Sequence, residues 1–591
     1  MCGILGIAGD EGISTTQLFC RLKRLEYRGY DSCGLAGYDT AWNIQKYIGK
    51  VSSALKAEQS PAYHKASISH TRWATHGEVN LINTHPHLSY DESLSLVHNG
   101  VIENYQEIKS FLQKKGIVHK SDTDTEVISN LLAYNLRQVI NFKKFSILEA
   151  LEICLRQLKG SYAIAFIHVN EPDTIYYAKN QSPLVLGKSL THKYISSDIY
   201  TFIDDTNFVM YLNDKDYGYV NSDGVCRFNL NKEKVIQNKW TEITASYDEV
   251  DLGDYQHYMI KEICEQQNLI QNTIASKSLD EIHKIINLIN KADRVIFTGC
   301  GSSYYASMVA ARFLWSNQIR ASCILSSEFE SFEGTINEND LIICVSQSGE
   351  TADIIESINI AHSKSCKILS IINVENSTID RLSDYSIYLN AGPEICVLST
   401  KSFTSQVGLF ALIFKHLSQQ GLSFHAVQNS IYELISESTR NSVRKIAERI
   451  FEKEHIYCLG KGLQYPVALE AALKIKEVSY IHAEGFAGGE LKHGSIALIE
   501  EGTPCILFLN KAHQLELLAN GAELKSRGAV IIGVGEENND LFDYFIRVRG
   551  ADLTLPILQL IPIQLMAYNL ALLKGLDPDK PRNLAKSVTV K

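Results

Sequence analysis

The chain has 591 residues, 45% of them hydrophobic and 21% charged, with a formal net charge of −10. That length holds about three to four domains of roughly 100–200 residues, with ample core, and the acidic balance argues against nucleic acid or an anionic membrane surface as the main partner. No run of about 18 apolar residues stands out, no basic stretch opens Met1-Cys2-Gly3-Ile4, and the 13 cysteines contain no C-x-x-C pair. No membrane partner, disulfide framework or zinc site is therefore expected, and a cytoplasmic location is.

From 2 to 225, short apolar runs such as 162–168 and 173–178 alternate with polar turns, and helical periods fall at 124–136 and 147–158. This texture predicts a layered α+β domain. Residues 226–285 are more charged, with a helical period over 259–276, and read as a helical connector rather than core. The pattern then changes. Arg294-Val-Ile-Phe-Thr-Gly299 is a buried-strand run leading into Cys-Gly-Ser302-Ser303 and an alanine-rich helix. Leu341-Ile-Ile-Cys-Val345 is a second, ending in Ser346-Gln347-Ser348-Gly-Glu-Thr351, and 367–373 is a third. Short apolar strands alternating with helices predict a doubly wound parallel α/β sheet over 286–425. The scheme returns about 160 residues later, where Ile456-Tyr-Cys-Leu-Gly460-Lys-Gly462 overlays Val295-Ile-Phe-Thr-Gly299-Cys-Gly301. A period this long marks a duplicated domain, here 450–591. The second copy lacks the Ser-x-Ser-Gly-x-Thr loop, so a site kept in one copy is expected to be lost in the other.

Cys2 carries the first chemistry. With Met1 removed, its α-amine, of pKa about 8, is placed to act as the general base for its own thiol. Alone, a cysteine here is more often incidental. Its company is specific: His70-Thr-Arg72-Trp73-Ala-Thr75-His76-Gly77, then His98-Asn99-Gly100, then Ser121-Asp-Thr-Asp124-Thr-Glu126. An asparagine amide beside an unhindered glycine N–H is the donor pair an oxyanion hole needs. Read singly, Asp122 or Asp124 would be a helix cap and Arg72 a surface ion-pair partner.

With Tyr27-Arg-Gly-Tyr-Asp31-Ser and Thr84-His-Pro86, these motifs resemble the class II glutamine amidotransferases, and within them the glutamine–fructose-6-phosphate aminotransferases. The resemblance implies an α+β N-terminal-nucleophile fold of αββα layers. It implies that Cys2 attacks the glutamine amide and that Asn99 and Gly100 hold the oxyanion. Arg72 would bind the substrate carboxylate and Asp124 its ammonium, charge-assisted contacts suited to both groups. Trp73 would gate the ammonia passage, with Thr75 and His76 lining the pocket.

Hydroxyls at the N-terminus of a helix that follows a parallel strand make an anion site, and no Walker motif is present. Ser302, Ser303, Ser346, Gln347, Ser348 and Thr351 are the candidate phosphate ligands. Both copies resemble the sugar isomerase (SIS) domain family. The likeness extends through Val397-Leu-Ser399-Thr-Lys-Ser402-Phe-Thr404, Lys474-Ile-Lys-Glu477, Gly489-Glu-Leu-Lys-His493 and Pro581-Arg-Asn-Leu-Ala585-Lys586. It implies that Val397, Ser399 and Ala585 also contact the sugar phosphate. Lys586 would handle the C2 carbonyl, Glu477 move a proton between C1 and C2, and His493 open the ring, with Lys474 nearby. A buried carboxylate with a raised pKa suits proton transfer, and a lysine that reacts with a ketone must be partly neutral. Without the motif, Lys474 and Glu477 would read as an i,i+3 ion pair.

The whole resemblance implies conversion of D-fructose 6-phosphate and L-glutamine to D-glucosamine 6-phosphate and L-glutamate by channelled ammonia transfer and ketose–aldose isomerisation, the first step of UDP-N-acetylglucosamine synthesis. No metal or organic cofactor is expected, and a homodimer through the SIS domains is implied. Ser302, Ser402 and Ser495 stand where the family usually has Thr, Ala and Pro, which leaves room for a paralogue aminating a modified or nucleotide-linked fructose. A non-catalytic sugar-phosphate-binding protein has no need of Cys2, Glu477 and Lys586 together.

Overall fold

The computed structural model describes residues 2–57, 61–74, 76–142, 147–232, 238–243, 252–419 and 421–588. The chain divides into two compact units, Met1–Asp251 with Ala585–Lys591, and Leu252–Leu584.

Period-two alternation builds the first unit. Along the strand Gly3–Ser14, Ile4 and Ala8 enter one core while Leu5 and Ile7 enter another. Among the described residues this strand is central in an eight-stranded sheet, between His192–Ser196 and Tyr63–Arg72. A six-stranded antiparallel sheet, with Leu94–Ile102 and Gly160–His168 near its middle, faces it across a core of Ile68, Ala165, Ile175 and Leu186. The outer faces are covered by helices. Thr15–Leu22 lays Leu18, Phe19 and Leu22 on Leu5 and Ile7. Asp124–Phe142 and Ile147–Gln157 lay Leu131 and Leu151 on Leu96, Ile164 and Phe166. The result is the αββα sandwich. Helix starts are chemically marked: Ser14 and Gln17 form a reciprocal capping box at 3.1 Å each way, and Thr123 Oγ1 accepts the Glu126 N–H at 3.3 Å.

The expected break at 225 falls inside this sheet, because the edge strand Gly224–Asn229 pairs with Asp216–Asn221. Its polar character reflects an edge that faces water on one side.

The second unit holds two parallel five-stranded sheets with one topology. The first runs Ala321–Leu325, Arg294–Gly299, Asp340–Ser346, Lys367–Ile372, Tyr385–Tyr388. The second runs His482–Ala487, His455–Gly460, Pro504–Phe508, Val530–Gly535, Tyr544–Arg547. Each sheet has a private core on one face, and both share a single core on the other. The helix Tyr258–Ala275, expected as a connector, lies in that shared core through Met259, Ile263 and Ile270. Its packing partners, Lys401–Ser418 and Leu555–Leu573, are distant in sequence, so nothing local betrayed its burial.

Leu555–Leu573 is 19 residues long with a mean hydropathy of 1.5. It is long and apolar enough to cross a membrane, but 89% of its most apolar stretch is buried inside the unit. Gln559 and Gln564 break the apolar run, which hid it from a scan for continuous hydrophobicity. Gln559 Nε2 donates to the Leu509 carbonyl at 2.7 Å, and Gln564 Oε1 accepts from Gln266 Nε2 at 2.6 Å.

Candidate active site

In the first unit, pairing of Gly3 with Thr71 carries Cys2 to the stretch that follows the strand Tyr63–Arg72. Cys2 Sγ–H donates to the Trp73 carbonyl at 3.4 Å, and the Trp73 N–H points back to Sγ at 3.2 Å. Burial pushes the Cys2 thiol up, while the Trp73 N–H and the Arg72 guanidinium pull it down. The 27–32 motif frames this stretch. Asp31 Oδ2 accepts the Ala74 N–H at 2.9 Å, and Tyr30 packs edge-on to Trp73 at 5.6 Å.

Asn99 donates through Nδ2 to the Cys2 carbonyl and to Ser197 Oγ, both at 2.9 Å. Its Oδ1 must then accept from His70 Nε2–H at 3.0 Å, which assigns the proton of His70 to Nε2. Gly100 has φ +133°, and a Cβ there would meet the Ser161 carbonyl at 2.1 Å, so the strand turns here only with glycine. Arg72 donates to the carbonyls of His76 (2.5 Å), Gly77 (3.2 Å) and Glu78 (3.2 Å), closing that loop on itself. Asp124 begins its helix and accepts the Ile102 N–H at 3.0 Å, with His98 Nδ1 at 3.9 Å. His76 is half-buried against Tyr105, ring centroids 5.2 Å apart. Thr75 lies outside the described residues.

Behind Asn99 the structure assembles four histidines. His70 stacks on His85 at 4.0 Å, and His85 meets His87 edge-on at 4.9 Å. Thr125 Oγ1 lies 3.2 Å from both His85 Nε2 and His98 Nδ1, and Thr123 Oγ1 lies 3.2 Å from His87 Nε2. All four are buried, and burial lowers each of them, His70 to about 3. They are neutral imidazoles near neutral pH. His85 belongs to the Thr84-His-Pro86 motif and His87 follows it, but only the fold groups them with His70 and His98.

In the second unit, Ser346–Thr351 links the strand Asp340–Ser346 to the helix Ala352–Ser363. Ser346 Oγ accepts the Gly349 N–H at 3.1 Å and lies 3.2 Å from Thr351 Oγ1, and Ser348 Oγ accepts the Glu350 N–H at 3.2 Å. Gly349, at φ +68°, has Ser377 Oγ 2.0 Å from where a Cβ would lie, so a side chain would collide. The Gln347 carbonyl accepts the Asn373 N–H at 3.2 Å. Ser302 and Ser303 open the helix Ser302–Trp315 that follows the neighbouring strand. Ser303 Oγ accepts from Gln406 Nε2 at 2.9 Å.

Ser302 is turned elsewhere. Its hydroxyl donates to Glu470 Oε1 at 2.8 Å and accepts from Lys474 Nζ at 3.1 Å. Lys474 also meets Glu477 at 2.8 Å and Glu470 at 3.4 Å, with Lys474 and Glu470 fully buried. Burial pushes the Glu470 carboxyl up to about 7. Burial acts to lower Lys474 as well, but Glu470 and Glu477 outweigh it and hold the ammonium charged above its ordinary range. Glu470 is absent from the sequence reading, although the signal was there. Positions 470, 474 and 477 are i, i+4 and i+7 on the helix Gln464–Ser479 and so share one face.

Val397 donates its N–H to the Asp579 carbonyl at 3.2 Å, and Ser399 is half-buried on the same loop. His493 is exposed on the turn Glu490–His493. Ala585 and Lys586 are half-buried in the segment grouped with the first unit.

The Cys2 thiol on an αββα sandwich, in one chain with hydroxyl loops at the switch point of a duplicated parallel sheet, defines a glutamine amidotransferase domain joined to two SIS domains. The profile of the glutamine amidotransferase domain matches residues 75–204, and that of the SIS domain matches 288–415 and 449–574. Over the full length of both chains, the protein is 39% identical to the glutamine–fructose-6-phosphate aminotransferase (isomerizing) of Pyrococcus horikoshii and 38% to that of Thermotoga maritima. Among solved structures it matches the C-terminal domain of glucosamine-fructose-6-phosphate aminotransferase from Francisella tularensis. That match has 32% identity and a TM-score of 0.51, covering 57% of this chain and 100% of the other. The chain belongs to the glutamine–fructose-6-phosphate aminotransferase (isomerizing) family.

Proposed function

We propose that the chain makes D-glucosamine 6-phosphate and L-glutamate from D-fructose 6-phosphate and L-glutamine, the entry step of amino-sugar synthesis. The Cys2 thiol, deprotonated by its own α-amine once Met1 is removed, attacks the glutamine amide carbon; ammonia leaves with that proton, and water hydrolyses the thioester. Gly100 and Asn99 hold the oxyanion, Asn99 giving up its Nδ2 hydrogen bond to the Cys2 carbonyl when substrate binds. Arg72 and Asp124 take the substrate carboxylate and ammonium, Trp73 gates the ammonia, and Thr75 and His76 line the pocket. Ser303, Ser346, Gln347, Ser348 and Thr351 hold the sugar phosphate, with Ser302 beside them, and Val397, Ser399 and Ala585 complete the sugar contacts. His493 opens the ring and Lys586 forms an imine with C2, releasing water; ammonia then displaces the lysine amine and leaves a C2 imine. Glu477 then moves a proton from C1 to C2 while the O1 proton passes to the C2 nitrogen, leaving an aldehyde at C1 and an amine at C2. The working enzyme is a cytoplasmic homodimer paired through its SIS domains, the partner contributing the ring-opening histidine.

The observation that carries this reading is the buried Glu470–Lys474–Glu477 cluster, a proton-handling group beside a hydroxyl-rich anion loop in a chain that also presents the Cys2 thiol. The test is mass spectrometry of products from amide-labelled glutamine with fructose 6-phosphate or a nucleotide-linked fructose. Label in glucosamine 6-phosphate supports the reading. Label only in an amino sugar derived from the nucleotide-linked substrate overturns it.

A further inference from the structure

Ser402 is one of the positions where the sequence departs from the pattern the resemblance leads one to expect, and its surroundings give the departure a use. It lies in the first turn of the helix Lys401–Ser418 and is fully buried. It therefore acts on a bound molecule only through a neighbour, and the neighbour is Ser399, whose Oγ is 2.6 Å away.

The loop that carries both serines is pinned by two buried carboxylates. Glu262 Oε1 accepts the N–H groups of Ile395 and Cys396 at 2.6 and 3.0 Å, and Thr400 Oγ1 lies 3.3 Å from Glu262 Oε2. Glu394 Oε1 accepts the N–H groups of Thr400 and Ser402 at 2.8 and 3.0 Å, so the helix start is capped from outside. The other oxygen, Oε2, lies 2.8 Å from Ser402 Oγ. Backbone N–H donors favour the ionised carboxylate, and an ionised carboxylate accepts only.

Proton accounting then settles the direction of the relay. Ser402 has one hydroxyl proton, and the 2.8 Å contact with Glu394 requires it, since two acceptors at that separation repel. The 2.6 Å contact between the serines needs a proton too, and only Ser399 is left to supply it. Ser399 donates to Ser402, which donates to Glu394. The half-buried Ser399 oxygen is left with lone pairs alone toward anything bound beside it.

We propose that Ser402 is a specificity-determining residue that locks Ser399 as a pure acceptor, so that the loop selects a ligand presenting a hydroxyl proton at that point. This rests on the reading that Ser399 touches the sugar. A free serine hydroxyl rotates to donate or accept and tolerates either partner, whereas the locked one rejects an acceptor-only substituent. Ser402 is thus a positioning residue, acting through Ser399.

The experiment measures kcat/KM for fructose 6-phosphate and for analogues in which each secondary hydroxyl in turn is replaced by fluorine, a substituent that cannot donate. The wild type, Ser402→Ala, Ser402→Thr and Ser399→Ala are compared. In the wild type, one analogue loses about tenfold, the worth of a single hydrogen bond. Ser399→Ala flattens that discrimination and so identifies the position. Ser402→Ala reduces it to about two- to threefold, with the change in KM rather than kcat, and Ser402→Thr restores it. Wild-type discrimination in Ser402→Ala, with Ser399→Ala still flattening it, overturns the relay alone. Wild-type parameters in Ser399→Ala overturn the reading of the loop, and the relay with it.

Discussion

The two units bury polar groups in opposite states of charge. Around the thiol, His70, His85, His87 and His98 are packed as neutral rings linked by threonine hydroxyls. Beside the hydroxyl loops, Lys474 lies fully buried and charged between Glu470 and Glu477. The first arrangement needs only to hold Asn99 in one orientation, and neutral hydrogen bonds do that without the desolvation cost of a buried ion. The second holds the Glu470 carboxyl near 7 one salt-bridged lysine away from Glu477, the residue proposed to move the sugar proton. Its cost is a cluster that tolerates no unpaired member.

The largest effect follows from Cys2→Ala. Glutamate release falls to background, while calorimetry still detects sugar-phosphate binding; persistent glutamine hydrolysis removes the thiol from the comparison altogether. Lys474→Met leaves the buried Glu470 carboxyl facing Glu477 without the cation between them and destabilises the second unit by about 3–5 kcal/mol, read from urea unfolding. Adding Glu470→Gln to that variant recovers part of the loss, because the two sites are coupled.

The pH dependence sharpens the contrast further. Burial lowers the histidines, His70 from 6.5 to about 3, so below 6.5 the unfolded chain binds protons that the folded unit refuses. Stability of the first unit therefore falls with falling pH, by up to about 1.4 kcal/mol per pH unit for each such histidine. Glu470 is raised from 4.5 to about 7, so across that window the folded unit binds the extra proton. Its contribution to the second unit is present at low pH and lost as pH rises toward 7. Calorimetric transitions of the two units should move in opposite directions between pH 5 and 6.5 in response to these groups, and Glu470→Gln should flatten the second. Parallel movement that this variant leaves unchanged contradicts the charge assignment.

A smaller effect tests the neutral cluster. His70→Ala removes the donor to Asn99 Oδ1 and lowers the glutaminase kcat by about tenfold, one neutral hydrogen bond's worth, with sugar isomerisation unaffected. Smallest is Ser14→Ala, which breaks a capping box and costs about 1 kcal/mol in thermal unfolding of the first unit.

Legibility in the sequence followed locality. The strands that end in Gly299 and Ser346 were readable because each is a short apolar run closed by its own turn chemistry. The duplicated sheet was readable because its period survives in those runs. Cys2, Arg72, Asn99 and Asp124 could be nominated from motifs, but the hydrogen bonds Asn99 makes in this fold, to Cys2, Ser197 and His70, come from three separate segments. Glu470 was missed because the motif reading began at Lys474, although helical spacing extends the same face one turn back. The burial of Tyr258–Ala275 and Leu555–Leu573 was invisible for another reason. Each is made a core helix by partners from other segments of the chain, Leu555–Leu573 chiefly by Gln464–Ser479 and Tyr258–Ala275 chiefly by Lys401–Ser418, and no local pattern encodes that pairing.

The shared core of the second unit also sets a timetable for synthesis. The first unit's sheets are complete, apart from its short C-terminal tail, by Asp251. The second is not complete until Leu555–Leu573 leaves the ribosome, because that helix packs on Gln464–Ser479, Glu437–Ile450 and Tyr258–Ala275 in the shared core. At about 5–20 residues per second the interval is roughly 15–70 s. Until then, the faces of Gln464–Ser479 and Glu437–Ile450 that this helix covers stay without their partner. The last helix to be translated is thus the one that completes the second unit's shared core.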